Sequence, residues 1–315
     1  MLENKPLNYS ENMLDGSAWP RISVVTPNYN YSDYIGDTIH SVVAQGYPNL
    51  EYIVIDDGST DDSYKVISNY KPYLAHCEQQ VNMGQARTIN KGFGMSSGEI
   101  MAWLNSDDKY MPWTFAVVAE IFRAFPDVEW ITGMPTIWDS QGRNVKAERG
   151  VYINKYDYCL GRYTWIQQES VFWRRSLWDR AGGYIDESYK LQIDCELWTR
   201  FFKLADLWHV DSCIGGYRYH SATRSSNNMD ETHREARRAI TDFIGSCDTK
   251  IIQDVRLLRE LSKLKFLDGM LDMSSVIERV FPKLWSRIAY NEISWAGECG
   301  KWYPKKIPFR LFRKP

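Results

Sequence analysis

Asp107 and Asp108 stand side by side in the loop Asn105-Ser106-Asp107-Asp108, which follows the apolar run Ile100-Met101-Ala102-Trp103-Leu104. Two adjacent carboxylates at a strand end cannot both be buried and ionised without a cation. A hard divalent ion such as Mn²⁺ or Mg²⁺ satisfies such a pair, taking one or two carboxylates and completing its shell with substrate phosphates. Taken alone, an Asp-Asp pair is more often a solvated turn that caps the next helix. A second acidic cluster, Asp56-Asp57-Gly58-Ser59, follows the run Glu51-Tyr52-Ile53-Val54-Ile55. A carboxylate there can accept a nucleobase N–H, and Gly58 lets the backbone approach a ligand. A third loop, Thr26-Pro27-Asn28-Tyr29-Asn30, follows Ile22-Ser23-Val24-Val25 and says little by itself.

These clusters have to be positioned by regular elements, and the pattern predicts them. The β-branched run from Ile22 reads as a buried strand stopped at Pro27, and 51–55 as a second strand. Apolar residues at 35, 39, 42 and 43 recur at helical spacing, and Gly46-Tyr47-Pro48 ends that helix. A further helix starts near Ser63, with Ser59, Thr60 and Asp61 upstream as candidate caps. Another spans 84–96 and precedes the strand 100–104. This βαβ series predicts an α/β fold with a mostly parallel sheet and right-handed crossovers. Ligands bind such sheets at the carboxyl ends of the strands. All three polar clusters follow strands, so they are expected to converge on one edge.

Further on, 113–125 reads as a helix and 128–138 as a strand, while 163–225, dense in Trp, Tyr, Gln and charge, is expected to complete the cleft. After residue 228 the segments 231–245, 250–271 and 276–289 carry 3–4 periodicity, as amphipathic helices do. The expected organisation is an N-terminal arm (1–20), a catalytic domain (21–228) and a helical C-terminal extension (229–315). The extension ends in a basic, aromatic tail, 301–315.

The 315 residues carry 38 Lys+Arg against 40 Asp+Glu, a formal charge of −2. That balance excludes a general nucleic-acid binder, which needs a basic surplus. With 44% hydrophobic and 25% charged residues, disorder and collagen-like repeats are excluded too. The six cysteines lie at 77, 159, 195, 213, 247 and 299, without the spacing of zinc ligands. They read as free, mostly buried thiols of a cytoplasmic protein. No apolar run reaches the ~18 residues of a membrane span, and the N-terminus lacks a signal-peptide pattern. Thirteen Trp and 20 Tyr are unusual. They fit either a Trp-rich core or the flat aromatic platforms of a sugar cleft.

In order and interval, the clusters resemble the opening of family 2 glycosyltransferases of the GT-A fold, of the bacterial surface-polysaccharide type. The resemblance runs from Ile22–Asn30 and Tyr52–Asp61 through Met83-Gly84-Gln85-Ala86-Arg87 and Gly98–Asp108. It continues at Gln168–Arg175, Gly182-Gly183-Tyr184 and Asp194-Cys195-Glu196-Leu197-Trp198, and closes at Tyr217-Arg218-Tyr219-His220. It covers roughly residues 21–225 and implies a Rossmann-like nucleotide-binding mixed sheet flanked by helices. Thr26, Pro27 and Asn28 would line the nucleotide, and Asp57 would bond the base. Gln85 and Arg87 would meet the donor sugar and phosphates. Asp108 would be the direct ligand of a Mn²⁺ or Mg²⁺ ion, Asp107 would reach the ribose or donor sugar, and His220 would help hold the metal or diphosphate. Asp194 stands at the position of the catalytic base, with Glu196 its local rival. Gln168, Glu169 and Glu196 fall on the acceptor side.

The chemistry is sound on its own terms. A sugar hydroxyl is a poor nucleophile, so a positioned carboxylate must take its proton, and a metal offsets charge growing on the departing diphosphate. One base opposite the leaving group implies a single displacement with inversion. Two departures from the family are visible. Tyr217-Arg218-Tyr219-His220 stands in place of the Gln-x-x-Arg-Trp motif of processive synthases, and Glu169 stands where many relatives carry Pro.

The expected partners are a nucleotide-diphospho-sugar, UDP-linked by preference, and a glycan or lipid-linked acceptor in surface polysaccharide synthesis. Nucleic acid is not among them. The 301–315 tail is a candidate for peripheral contact at the inner face of the membrane. Two other readings compete: a non-catalytic sugar- or nucleotide-binding protein on the same fold, and a nucleotidyltransferase. The latter wants a Gly-rich, cationic first loop that Thr26–Asn30 lacks.

Overall fold

The computed structural model describes residues 9–220, 228–264 and 272–312. Its first strand, β1 (Ile22–Asn28), is buried along its whole length, as a β-branched run covered on both faces must be. Helix α1 (Ser32–Val43) follows and turns Ile35, Ile39 and Val42 inward. Next come β2 (Leu50–Asp56), α2 (Ser63–Ser68) and β3 (His76–Gln79), the last a short strand not foreseen in the sequence. The N-cap of α2 is Asp62 rather than any of the candidate caps, and Asp61 accepts the Ser63 N–H at 3.0 Å in the turn before it. Helix α3 (Gln85–Met95) leads into β4 (Ile100–Trp103). Ile22 pairs with Leu50 on one side and Ile100 on the other, both in parallel register, and β3 extends the block beyond β2.

Past β4 the sheet becomes mixed. After β5 (Lys109–Tyr110) and α4 (Thr114–Ala124), the stretch 128–138 forms two strands rather than one. These are β6 (Trp130–Thr132) and β7 (Thr136–Trp138), and they belong to different sheets. Gly133 lies at the break, where a Cβ would stand 3.0 Å from the Ser212 carbonyl and 2.5 Å from Ile214 Cγ1. The chain then runs through β8 (Asn144–Ala147), α5 (Lys155–Cys159), β9 (Val171–Arg174) and α6 (Arg175–Arg180). It continues with α7 (Ile193–Leu204), β10 (Trp208–Val210) and β11 (Gly215–Arg218). Strand β9 inserts antiparallel between β4 and β6. The small sheet has the order β5-β11-β7-β8.

The helices expected after residue 228 are present as α8 (Met229–Gly245), α9 (Thr249–Ser262), α10 (Met273–Val280) and α11 (Pro282–Ile288). Residues 265–271 of the expected 250–271 helix lie outside the described residues, as do 1–8, 221–227 and 313–315. The final stretch departs from the expected helical extension. Strands β12 (Tyr290–Ala296) and β13 (Lys301–Ile307) form an antiparallel hairpin, and β12 pairs in parallel with β10. The C-terminal region therefore completes the nine-stranded sheet, β13-β12-β10-β6-β9-β4-β1-β2-β3.

Part of the tail is turned inward. Phe309 and Leu311 are buried, the Trp302 indole N–H donates to Glu120 at 2.8 Å, and Lys305 pairs with Glu292 at 2.6 Å. Tyr303 stays exposed on β13. No helix among the described residues is long and apolar enough to cross a membrane.

Five of the thirteen tryptophans are buried in the core. Trp103 stacks on Trp198 with ring centroids 5.7 Å apart, and Trp130 stacks on the same ring at 5.7 Å. Such pairs add roughly 0.5–1.5 kcal/mol each beyond area burial. The three rings come from β4, β6 and α7. Cysteines are more exposed than expected: Cys159 and Cys195 are buried, Cys299 is exposed, and all six are free.

Candidate active site

The three polar clusters share one edge because their strands are parallel and in register. Asn28 lies opposite Asp56, and Val25 lies opposite Trp103. Asp56 and Asp57 then take different roles. Asp56 accepts from Asn28 Nδ2 at 2.6 Å, Ser59 Oγ at 2.5 Å, Ser59 N at 3.0 Å and Gln79 Nε2 at 2.8 Å. A carboxylate has about four lone-pair directions, so Asp56 is fully used in closing its own loop. Asp57 accepts from Met83 N at 2.9 Å, Gly84 N at 2.8 Å and Gln80 Nε2 at 2.8 Å. One direction is left for an incoming N–H. Gly58 makes the close approach possible, since its φ is +80° and a Cβ would stand 2.9 Å from Asn82 N.

Other predicted nucleotide residues present less than expected. The Thr26 hydroxyl is buried against the Tyr52 hydroxyl at 2.9 Å, so only its backbone is left for a base. Pro27 is buried beside it. Asn28 Oδ1 is buried and has no partner among the described residues. Gln85 opens α3 and donates to Asn105 Oδ1 at 2.9 Å, which ties the helix to the Asp107 loop. Arg87 is exposed and paired with Glu187 at 2.6 Å, and such a surface pair is weak enough to exchange for a phosphate.

Asp107 and Asp108 also differ. Asp107 Oδ2 lies 3.0 Å from His220 Nε2, and its side chain keeps 13% exposure. Asp108 is buried, accepting the Arg218 backbone N–H at 2.9 Å and Asn105 Nδ2 at 3.3 Å. Burial, with Asp107 and then Glu169 nearby, holds its carboxyl well above the usual range. Asp108 thus faces the Arg218 backbone and Asn105, while Asp107 is the carboxylate beside His220.

Residues not foreseen in the sequence brace this pair. The Thr38 hydroxyl on α1 lies 2.9 and 2.8 Å from the carbonyls of Ser106 and Asp108. The Tyr34 ring lies 4.5 Å from the His220 ring and beneath the Arg218 guanidinium at 5.0 Å. A tyrosine and a threonine on an amphipathic helix carry no local signal of such a contact. Among the described residues no three His, Cys, Asp or Glu side chains form a metal cluster. The Asp107–His220 pair nevertheless fits a divalent ion that takes most of its ligands from phosphates and water. Two donors about 2.1 Å from one ion at right angles stand about 3 Å apart.

Across the site, the first turn of α7 presents Asp194, half-buried, with the Cys195 N–H on its Oδ1 at 2.8 Å. Desolvation pushes its pKa up to about 6. Glu196, the rival base, has both its oxygens on Arg200, at 2.7 Å each. Gln168 is structural, donating to the Trp103 carbonyl at 2.6 Å and accepting from Asn105 at 3.1 Å. Glu169 is 4% exposed and its Oε1 has no partner among the described residues. Burial pushes its pKa up to about 8, with Asp194 and Asp107 adding to the rise. It therefore carries a proton at neutral pH, within electrostatic reach of both.

The protein family described as Glycosyl transferase family 2 matches residues 23–208, more than half of the chain. The chain belongs to glycosyl transferase family 2. This family 2 transferase is 40% identical over 219 residues to the putative teichuronic acid biosynthesis glycosyltransferase TuaG of Bacillus subtilis strain 168. The match spans 66% of this chain and 82% of TuaG. An uncharacterized glycosyltransferase of Nostoc sp. is 38% identical over 106 residues, and the chain spans only 33% of its length. S. aureus TarS 1-349 in complex with UDP-GlcNAc superposes with a TM-score of 0.60 at 18% identity, covering 85% of this chain and 79% of that one. The mannosyltransferase PcManGT from Pyrobaculum calidifontis, in complex with GDP-Man and Mn²⁺, reaches 0.52 at 15% identity, covering 84% and 88%. At these identities the likeness shows the shared GT-A fold.

Proposed function

We propose that this family 2 transferase moves a sugar, with inversion, from a nucleotide-diphospho-sugar to a hydroxyl of a glycan or lipid-linked acceptor in bacterial surface polysaccharide synthesis. A UDP-sugar is favoured as donor, and the site is cytoplasmic. The observation that carries the reading is the division of labour among the acidic residues. Glu169 is buried with a pKa pushed up to about 8, Glu196 is paired with Arg200, and Asp194 combines partial exposure with a pKa of about 6.

At neutral pH Asp194 is mostly ionised, so it accepts the acceptor hydroxyl's proton as that oxygen attacks the anomeric carbon. The bond from that carbon to the diphosphate oxygen breaks on the opposite face, and the nucleoside diphosphate leaves with the electron pair. Asp57 and the Pro27–Asn28 backbone receive the base, while Gln85 and Arg87 stand toward the phosphates. Asp108 and His220, with Asp107 beside them, would hold a Mn²⁺ or Mg²⁺ ion, which when bound offsets charge on the leaving diphosphate. Protonated Glu169 donates a hydrogen bond to a sugar hydroxyl. The support is the local geometry together with the ligands named for TarS and PcManGT.

The test is a panel of UDP-, GDP- and dTDP-sugars with Mn²⁺, following nucleoside diphosphate release and the anomeric configuration of the product by NMR. Release that requires Asp194 and gives an inverted product is expected. Equal release by Asp194→Asn, or retained configuration, contradicts the mechanism.

A further inference from the structure

Glu235 lies on α8, beyond the 23–208 stretch that matches the family. It is 6% exposed, and its carboxylate gathers three successive backbone N–H groups. Lys190 N lies 2.9 and 3.1 Å from its two oxygens, Leu191 N at 2.8 Å and Gln192 N at 3.0 Å. Those three residues form the turn that enters α7. Gln192 is the N-cap of α7, and its own side chain caps nothing in the helix. It instead accepts from the Tyr163 hydroxyl at 2.9 Å and donates to the Leu191 carbonyl at 2.9 Å. The start of α7 is thus held from outside, by a charge-assisted cluster of the strong kind. Asp194 follows two residues after that cluster.

We infer that Glu235 is a positioning residue for the catalytic base. It fixes the 190–192 turn from the C-terminal helices, and with it the place of the Asp194 carboxylate. The inference rests on the role proposed for Asp194 and adds a job for the region outside the family match. It also explains why α8 packs against α7 with a buried carboxylate where an apolar contact would suffice for stability alone.

The charge acts on the base as well as the backbone. Glu235 is among the causes that raise Asp194. Glu169 near the start of β9, Tyr158 on α5, Tyr163 just beyond it and Cys195 on α7 also couple to Asp194. Arg238, farther along α8, turns away to the Ser188 hydroxyl at 2.7 Å and the Tyr189 ring at 4.2 Å. Removing the Glu235 charge therefore lowers the Asp194 midpoint, a change that a purely mechanical brace would not produce.

The test compares wild type with Glu235→Gln, which keeps the shape and one acceptor oxygen, and Glu235→Ala. Carboxyl ¹³C NMR on Asp-labelled protein follows Asp194, assigned by its loss in Asp194→Asn. In Glu235→Gln the midpoint should fall by roughly 0.5 pH or more. Amide exchange at 190–192 should quicken about 10-fold in either variant. Turnover in UDP release from a UDP-sugar should drop about 10-fold in Glu235→Ala, with donor KM within about twofold. An unchanged midpoint and unchanged exchange in Glu235→Gln overturn the inference, whether or not the Ala variant folds. If Asp194→Asn turns over like wild type, the base assignment fails instead, and the exchange data still report whether Glu235 holds the turn.

Discussion

His220 Nε2 lies 3.0 Å from Asp107 Oδ2, although the two residues are separated by 113 positions in the chain. The contact joins the loop after β4 to the end of β11, and the Tyr34 ring at 4.5 Å and the Tyr31 ring at 5.8 Å flank the imidazole. It brings a carboxylate and an imidazole nitrogen to one point on the donor edge. His220→Ala is expected to reduce Mn²⁺-supported turnover by about 10²-fold, with the thermal midpoint nearly unchanged. Turnover at different Mn²⁺ concentrations checks this, because loss of a ligand raises the concentration required.

Asp194 carries the pH dependence. With its pKa near 6, turnover should fall about tenfold per pH unit below that value and level off above it. Stability runs the other way. The folded-state pKa is raised above the unfolded value near 3.8, so folding favours the protonated form. That stabilisation is complete below about pH 4 and is lost as pH rises through 6. Asp194→Asn should therefore abolish about 10²–10⁴-fold of the rate while raising stability at pH 8 by on the order of 2 kcal/mol, with little gain at pH 4. Paired melts at the two pH values decide it.

Glu169 should behave as a neutral acid. Burial holds its proton up to about pH 8, so Glu169→Gln, which keeps a donor of the same shape, should retain turnover at pH 7 within about tenfold. Glu169→Ala leaves a buried hole in a polar site and should cost on the order of 10²-fold. Equal losses in the two variants would mean that the carboxylate form is the one required.

Phe309 belongs to the core, not to a surface tail. Its ring stacks on Tyr290 with centroids 5.4 Å apart and lies beneath the Arg162 guanidinium at 5.7 Å. Phe309→Ala should destabilise the fold by about 3–5 kcal/mol. Denaturant unfolding measures this directly, and a loss below about 1 kcal/mol would show that the segment is peripheral.

Much of this was legible in the sequence where the signal is local. Strands that run straight into polar loops gave the parallel block, and its register brings Asn28, Asp56 and Asp107 to one edge. The identity of each partner was not local. Nothing in Asp56-Asp57 says that the first closes its own loop through Ser59 and Gln79 while the second reaches Met83 and Gly84. Adjacent Asp107 and Asp108 do not show in the sequence that one meets His220 while the other meets Asn105 and the Arg218 backbone N–H. The 290–307 hairpin was hidden because its strands are partly charged, with Lys305 and Lys306 on an edge strand where water covers one side. Glu235 reads as one acid on a helix rich in Arg and Glu until three N–H groups are seen to point at it.

The most direct measurement is calorimetric titration of UDP, GDP and dTDP with Mn²⁺ and with EDTA, on wild type, Asp107→Asn and Asp108→Asn. The account predicts tight binding of one nucleotide, weakened about 10²-fold or more by EDTA or by Asp107→Asn. Asp108→Asn, which removes an expected metal ligand, should weaken binding likewise. Binding that ignores EDTA and both substitutions alike would contradict it.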